Sequence, residues 1–199
     1  MTIIGIDPSV RKSGVVVRGE DGNYRGFLVR PPTKAEDPGR LYWMATTIVA
    51  ECRLPPEEQV LLVIEQPTPK RMLEVNFVLF WRIREEFAWY YDTETLPICA
   101  QLNKFATGDG SVSEIGGAVV RQWGDCLPGE SDPDVLDALA LCVFGEMHAG
   151  LRAFGNPDPR LAEMREKVVR WMPTRMKQQA VERETVNDRR TFDICRGER

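Results

Sequence analysis

The chain has 199 residues, 43% of them hydrophobic, and a formal net charge of −4. That length fits one compact domain with room for an appendage, and no run of about 18 apolar residues is present to span a membrane. The acidity excludes a protein that grips nucleic acid mainly by bulk positive charge, but not an enzyme that gathers carboxylates around cations.

The first element is a short apolar run, Ile3, Ile4 and Ile6, of the kind expected in a strand buried on both faces. Asp7 ends it, Pro8 forbids further pairing, and Ser13-Gly14 turns the chain into Val15–Val17. A carboxylate at the tip of a buried strand either caps an Asx turn before Ser9 or is held there for chemistry, and this stretch alone leaves both open. Strands are predicted over 3–7, 14–18 and 24–30, the last two joined by Asp21-Gly22-Asn23. A loop over 31–39 precedes a helix over 40–53, where apolar residues recur at helical spacing. VLLVIEQP (60–67) is a fourth strand, again ending in an acid, Glu65, before Pro67 and Pro69. Met72–Tyr91 reads as a long aromatic-rich helix and Leu96–Ala100 as a fifth strand. A loop, KFATGDGSVS, leads into a helix over 114–124, and a strongly apolar helix runs from Pro133 to about His148. The order implies an α/β architecture, a mixed five-stranded sheet flanked by helices, over residues 1–150.

Residues 151–199 form a charged, partly helical extension, with one helix near 158–171 and a frayed end. They carry 12 Lys/Arg against 8 Asp/Glu, leaving 14 against 22 for residues 1–150. The five cysteines (Cys52, Cys99, Cys126, Cys142 and Cys195) form no C-x-x-C pair. Neither a zinc site nor a disulfide framework is expected, and they are read as buried hydrophobes. No basic stretch followed by a longer apolar one opens the chain, so no secretory leader is expected and the location is read as cytoplasmic.

Four acids have apolar neighbours. Asp7 and Glu65 each end a buried strand; if those strands are adjacent and parallel, both acids emerge at the end of the sheet where α/β folds place ligands. In SDPDVLDALAL, Asp132 before Pro133 reads as a helix cap, and Asp134 lies in the first turn, where the helix dipole favours an acid. Asp137 sits beyond that turn inside Val135–Leu141, and an unpaired buried carboxylate costs several kcal/mol. Asp134 and Asp137 are three apart and share a helical face. Oxygen ligands alone suit Mg²⁺ or Mn²⁺, and several converging carboxylates suit two ions clamping an in-line phosphoryl displacement.

IIGIDPSVRKSGVVV, LLVIEQP, KFATGDGS and SDPDVLDALAL together resemble, in order and spacing, the successive motifs of RuvC-type Holliday junction resolvases of the RNase H-like superfamily. The resemblance spans roughly residues 1–148. It implies an RNase H-like fold, a homodimer, and paired nicking of four-way DNA junctions with two Mg²⁺ ions, with Mn²⁺ as a substitute. By motif position Asp7, Glu65, Asp134 and Asp137 would be the catalytic, metal-binding acids. The chain departs from the pattern at Pro67-Thr68-Pro69, where the family places a base-stacking aromatic. Lys104 precedes Gly108, but Glu114 stands where a second lysine is usual. The long tail suits a mobile-element member, for which the cytoplasm would be that of the host. The alternative function is an RNase H-like nuclease acting on flaps, branched replication intermediates or RNA–DNA hybrids.

Arg11-Lys12 and Lys70-Arg71 follow the two acid-tipped strands and, with Lys104, are candidate DNA-phosphate contacts. His148 is read as a helix-end residue. The aromatics Phe77, Phe80, Trp81, Phe87, Trp89, Tyr90 and Tyr91 are too many for one buried stripe, which points to a dimer interface along the 72–91 helix.

Overall fold

The computed structural model describes residues 1–32, 37–66, 75–99 and 119–152. Three strands come first: β1 (Thr2–Asp7), β2 (Ser13–Arg18) and β3 (Tyr24–Val29). Helix α1 (Asp37–Cys52), β4 (Gln59–Gln66), α2 (Val75–Tyr90), β5 (Asp92–Cys99) and α3 (Pro133–His148) follow. One sheet has the order β3-β2-β1-β4-β5. Its first three strands are an antiparallel meander, while β1–β4 and β4–β5 are parallel pairs. The fold class and element order are those expected from the sequence.

Alternation along the strands sorts side chains between two cores. Ile4, Ile6, Val15, Val17, Val60, Leu62 and Ile64 pack with Met44, Ile48, Leu79, Phe80, Ile83 and Phe87, on the α1–α2 side of the sheet. Ile3, Val16, Leu61, Val63, Leu96 and Ile98 pack with α3 on the other. Asp7 shares its parity with Ile3, and Glu65 with Leu61 and Val63, so both strand-tip acids belong to the α3 face. α1 holds its core positions Leu41, Met44, Ala45, Ile48, Val49 and Cys52 at helical spacing. α3 is buried almost all round from Val135 to Met147, which suits a helix laid across the middle of a sheet.

Several boundaries differ from expectation. β5 begins at Asp92 rather than Leu96; its outer, polar part (Asp92–Thr95) pairs with β4 only, and a strand with one partner tolerates polar residues. α1 starts at Asp37 instead of 40, with Pro38 in its first turn, where the ring is tolerated. Of the 114–124 segment, 119–123 is helical and then tightens into a 3₁₀ turn, Gly124–Cys126. The loop around Gly108, Pro67–Pro69 and the 158–171 helix lie outside the described residues.

Glycine lets α3 approach. A Cβ on Gly14 would lie 1.9 Å from the Asp134 carbonyl oxygen, and one on Gly5 2.1 Å from that of Ala138. Both glycines face the helix backbone, and Gly14 is the register partner of Asp7. Gly14→Ala must therefore push the start of α3 off the sheet. It is expected to cost about 3 kcal/mol in denaturant unfolding, whereas an ordinary van der Waals fit would leave stability nearly unchanged.

Candidate active site

β1 and β4 run side by side with Ile6 opposite Ile64, so the next residue of each, Asp7 and Glu65, leaves the sheet at the same edge and on the same face. α3 brings two more acids to that place: Asp134 in its first turn and Asp137 one turn on. Asp7 is pushed well above the ordinary carboxylate range, first by burial and then by the negative charges of Glu65, Asp137 and Asp134; a hydrogen bond with Glu65 adds to the effect. Three carboxylates thus act on Asp7 from two other elements, β4 and α3. Asp137 is itself partly exposed, although its neighbours Leu136 and Ala138 are buried. Its place in an apolar run suggested full burial; instead it opens onto the acid-lined edge.

The start of α3 is tightly held. Asp132 is the cap, its Oδ1 accepting from the Asp134 N–H at 3.0 Å, with Pro133 at the first helical position. Glu130 Oε1 accepts from the backbone N–H groups of Ser131 and Asp132, both at 2.8 Å. Lys12 joins this end from the β1–β2 loop: its ammonium lies 3.0 and 3.1 Å from the two Asp132 oxygens and 2.9 Å from Asp134 Oδ2. The hydrogen bonds to Asp134 and Asp132 raise the Lys12 pKa. Burial works to raise Asp132, but Lys12 and the helix N–H outweigh it and hold that carboxyl low. The loop itself is fastened, because Ser13 Oγ accepts from Ser9 N–H at 3.0 Å and donates to Ser9 O at 2.9 Å. Val10 N–H donates to Asn76 Oδ1 at 3.2 Å, tying the loop to α2.

Arg11 is exposed in the same loop. Lys70, Arg71 and Lys104 lie outside the described residues. His148 is the last residue of α3, as expected.

The aromatic helix divides in two. Phe80 and Phe87 are fully buried against α1 and the sheet, correcting their reading as interface residues. Trp81, Trp89 and Tyr90 are exposed, Trp89 by 83%. The Arg84 guanidinium lies 4.4 Å above the Trp81 ring, a favourable cation–π stack.

A second charged group, at the other end of α3, went unread in the sequence. Glu146 is buried and accepts from Arg18 Nε at 2.9 Å, Arg152 Nε at 2.8 Å and the Tyr24 hydroxyl. Arg152 also donates to the Tyr24 hydroxyl at 2.9 Å. The signal was available: Glu146 stands in CVFGEMH, an acid inside an apolar helical run, as Asp137 does. The surroundings differ: Glu146 is paired with two guanidiniums, whereas the charge of Asp137 acts on Asp7.

All four site acids offer hard oxygen donors, which fits a divalent cation such as Mg²⁺ in chemistry. Among the described residues no three His, Cys, Asp or Glu side chains are gathered closely enough to enclose an ion, and Asp7 and Glu65 are instead joined by a hydrogen bond. A cation bound between them would replace it.

No protein-family model matches the sequence, and neither does any curated protein. Solved structures do match. A structure titled as Thermus thermophilus RuvC in complex with Holliday junction substrate superposes with a TM-score of 0.52 at 17% identity, covering 75% of this chain and 96% of that one. A second Thermus thermophilus RuvC structure gives 0.52 at 16%, over 75% and 97%. The fold is RuvC-like. At such identity the likeness speaks for the fold, and the RuvC-like sheet carries this chain's own acids at the carboxyl edge of its central parallel pair.

The crowding of Asp7 predicts a stability effect. Asp7 holds its proton more tightly folded than unfolded, so it works against the fold as pH rises from its unfolded pKa, about 3.9, through the folded one. With chelator present at pH 7, Asp7→Asn should melt above the parent, and the gap should close as pH falls towards that unfolded value. Equal melting temperatures at pH 7 would mean that the neighbouring acids do not press on Asp7.

Proposed function

We propose that the protein is a structure-selective DNA endonuclease that resolves four-way junctions by paired, metal-dependent hydrolysis of phosphodiesters. One observation carries the reading: acids from β1, β4 and α3 meet at the carboxyl edge of a RuvC-like sheet, and the half-buried Asp7 feels the charge of the other three. Structural ion pairs also perturb pKa values, but here the shift comes first from burial and then from three like charges. Asp7, Glu65, Asp134 and Asp137 would hold two Mg²⁺ ions, or Mn²⁺ in their place, and these when bound supply positive charge to the attacking and leaving oxygens. The protein's own part is positional. β1 and β4 fix two carboxylates by their register, and the capped start of α3 fixes the others by its glycine contacts.

DNA affinity would come from Arg11, Lys12, Lys70, Arg71 and Lys104, at phosphates around this edge. A junction offers two equivalent strands, which suits a two-fold dimer with one site on each. The exposed aromatics of α2 supply a dense apolar surface for that pairing. Residues 1–150 would form the nuclease domain and 151–199 a charged appendage.

The reading is tested with labelled four-way junctions, flaps, RNA–DNA hybrids and duplexes in Mg²⁺. Cleavage should favour the junction. Asp7→Asn, Glu65→Gln and Asp137→Asn should each abolish it, by at least about a thousandfold as for loss of a principal charge-stabilising group, while junction binding persists. Wild-type-like nicking by Asp7→Asn would overturn the site, and preference for flaps or hybrids would overturn the substrate.

The dimer has its own test, aimed at exposed residues. Trp81→Glu combined with Trp89→Glu should give a folded monomer in sedimentation that makes single, uncoupled nicks. A parent protein that sediments as a monomer at micromolar concentration, free and on a junction, would remove the dimer.

A further inference from the structure

Lys12 is a candidate phosphate contact, yet its ammonium is committed to Asp132 and Asp134. Asp134 is likewise claimed twice, by Lys12 at 2.9 Å and by the proposed cation site. Asp132 already has its structural task as helix cap, so the contested group is Asp134. Resting on the nuclease reading, we propose that Lys12 is a positioning residue that couples the two ligands: it neutralises Asp134 until a divalent cation binds there, and its released ammonium then takes a DNA phosphate.

Three features support this exchange. The loop backbone is pinned by Ser13 and Asn76, so only the flexible four-carbon stem of Lys12 needs to move. The side chain is partly exposed, at 28%, and can reach solvent without unpacking the core. A dication on Asp134 would both remove one of its partners and repel the ammonium. A lysine serves as such a mobile point charge better than a buried structural pair would; Glu146, enclosed by Arg18 and Arg152, shows the fixed alternative within the same helix.

Coupling between two ligands is reciprocal. Ca²⁺, which takes the same hard oxygen ligands, serves as the probe, with a labelled four-way junction on a gel that reads binding and strand integrity together. In the parent, a fixed low Ca²⁺ concentration should steepen the plot of log affinity against log salt by about one unit, the signature of one added phosphate contact. Lys12→Met should show one slope with or without Ca²⁺. In calorimetry without DNA it should bind Ca²⁺ more tightly than the parent, by about five- to tenfold, because no ammonium competes. Lys12→Arg, which keeps the charge and offers phosphate donors, should restore the Ca²⁺-dependent slope, and thermal melts establish that both variants fold. Equal slopes for the parent with and without Ca²⁺, or weaker Ca²⁺ binding by a folded Lys12→Met, would overturn the coupling while leaving the nuclease reading in place. A parent that binds neither Ca²⁺ nor the junction would overturn both.

Discussion

Helix α3 reaches the strand tips because β1 and β2 present bare backbone where it crosses them. Gly5 and Gly14 lie so near the carbonyls of Ala138 and Asp134 that no side chain fits between. Close approach fixes the helix in height as well as angle, and the helix carries its first-turn acids to Asp7. Everything electrostatic at that edge follows from this contact. Without it, α3 would ride a methyl group or more above the sheet, and Asp134 and Asp137 would face water rather than a buried carboxyl.

The two ends of α3 solve opposite problems. At its C-terminal end Glu146 is buried among Arg18, Arg152 and the Tyr24 hydroxyl, each within hydrogen-bond reach. An acid near a helix C-terminus is unfavourable towards the dipole, and two guanidiniums offset that while joining α3 to β2, β3 and the segment after the helix. At its N-terminal end the dipole favours acids, but several more carboxylates gather than a cap needs, and Lys12 meets only Asp132 and Asp134. The far end fastens the helix through two guanidiniums; the near end brings the charges of Asp134 and Asp137 to bear on Asp7.

Much of this was legible in the sequence. Buried strands announced themselves as continuous apolar runs, the helix starting at Pro133 by its proline and cap, and the acid pair on α3 by spacing. The adjacency of parallel β1 and β4 stood only as a condition in the sequence; the sheet meets it, and Asp7 and Glu65 emerge at one edge. What was not legible depends on which faces meet. Phe80 and Trp81 are neighbours of similar character, yet one is buried against α1 and the other exposed, and only the helix–helix packing decides between them. Lys12 read as a candidate phosphate contact, and its pairing with Asp132 and Asp134 went unread because they are 120 or more residues away in sequence. Glu146 passed unnoticed because its cations come from β2 and from beyond α3, which no local pattern links.

Stability alone gives no reason for the near-end acids. Asp132 suffices to cap α3, and Asp134 gains from the dipole, but Asp7, Glu65 and Asp137 each add like charge to a partly desolvated cluster. A core built only to fold would place neutral side chains of similar size at those positions and be more stable for it. Retaining charge under mutual repulsion makes sense under the proposed cation binding, since the same crowding that raises the proton affinity of Asp7 would raise its affinity for a dication. The close approach of α3 at Gly5 and Gly14 is therefore the feature that ties fold to the acid cluster. Packing spends stability to hold the carboxylates together, and the proposed hard cation would return it.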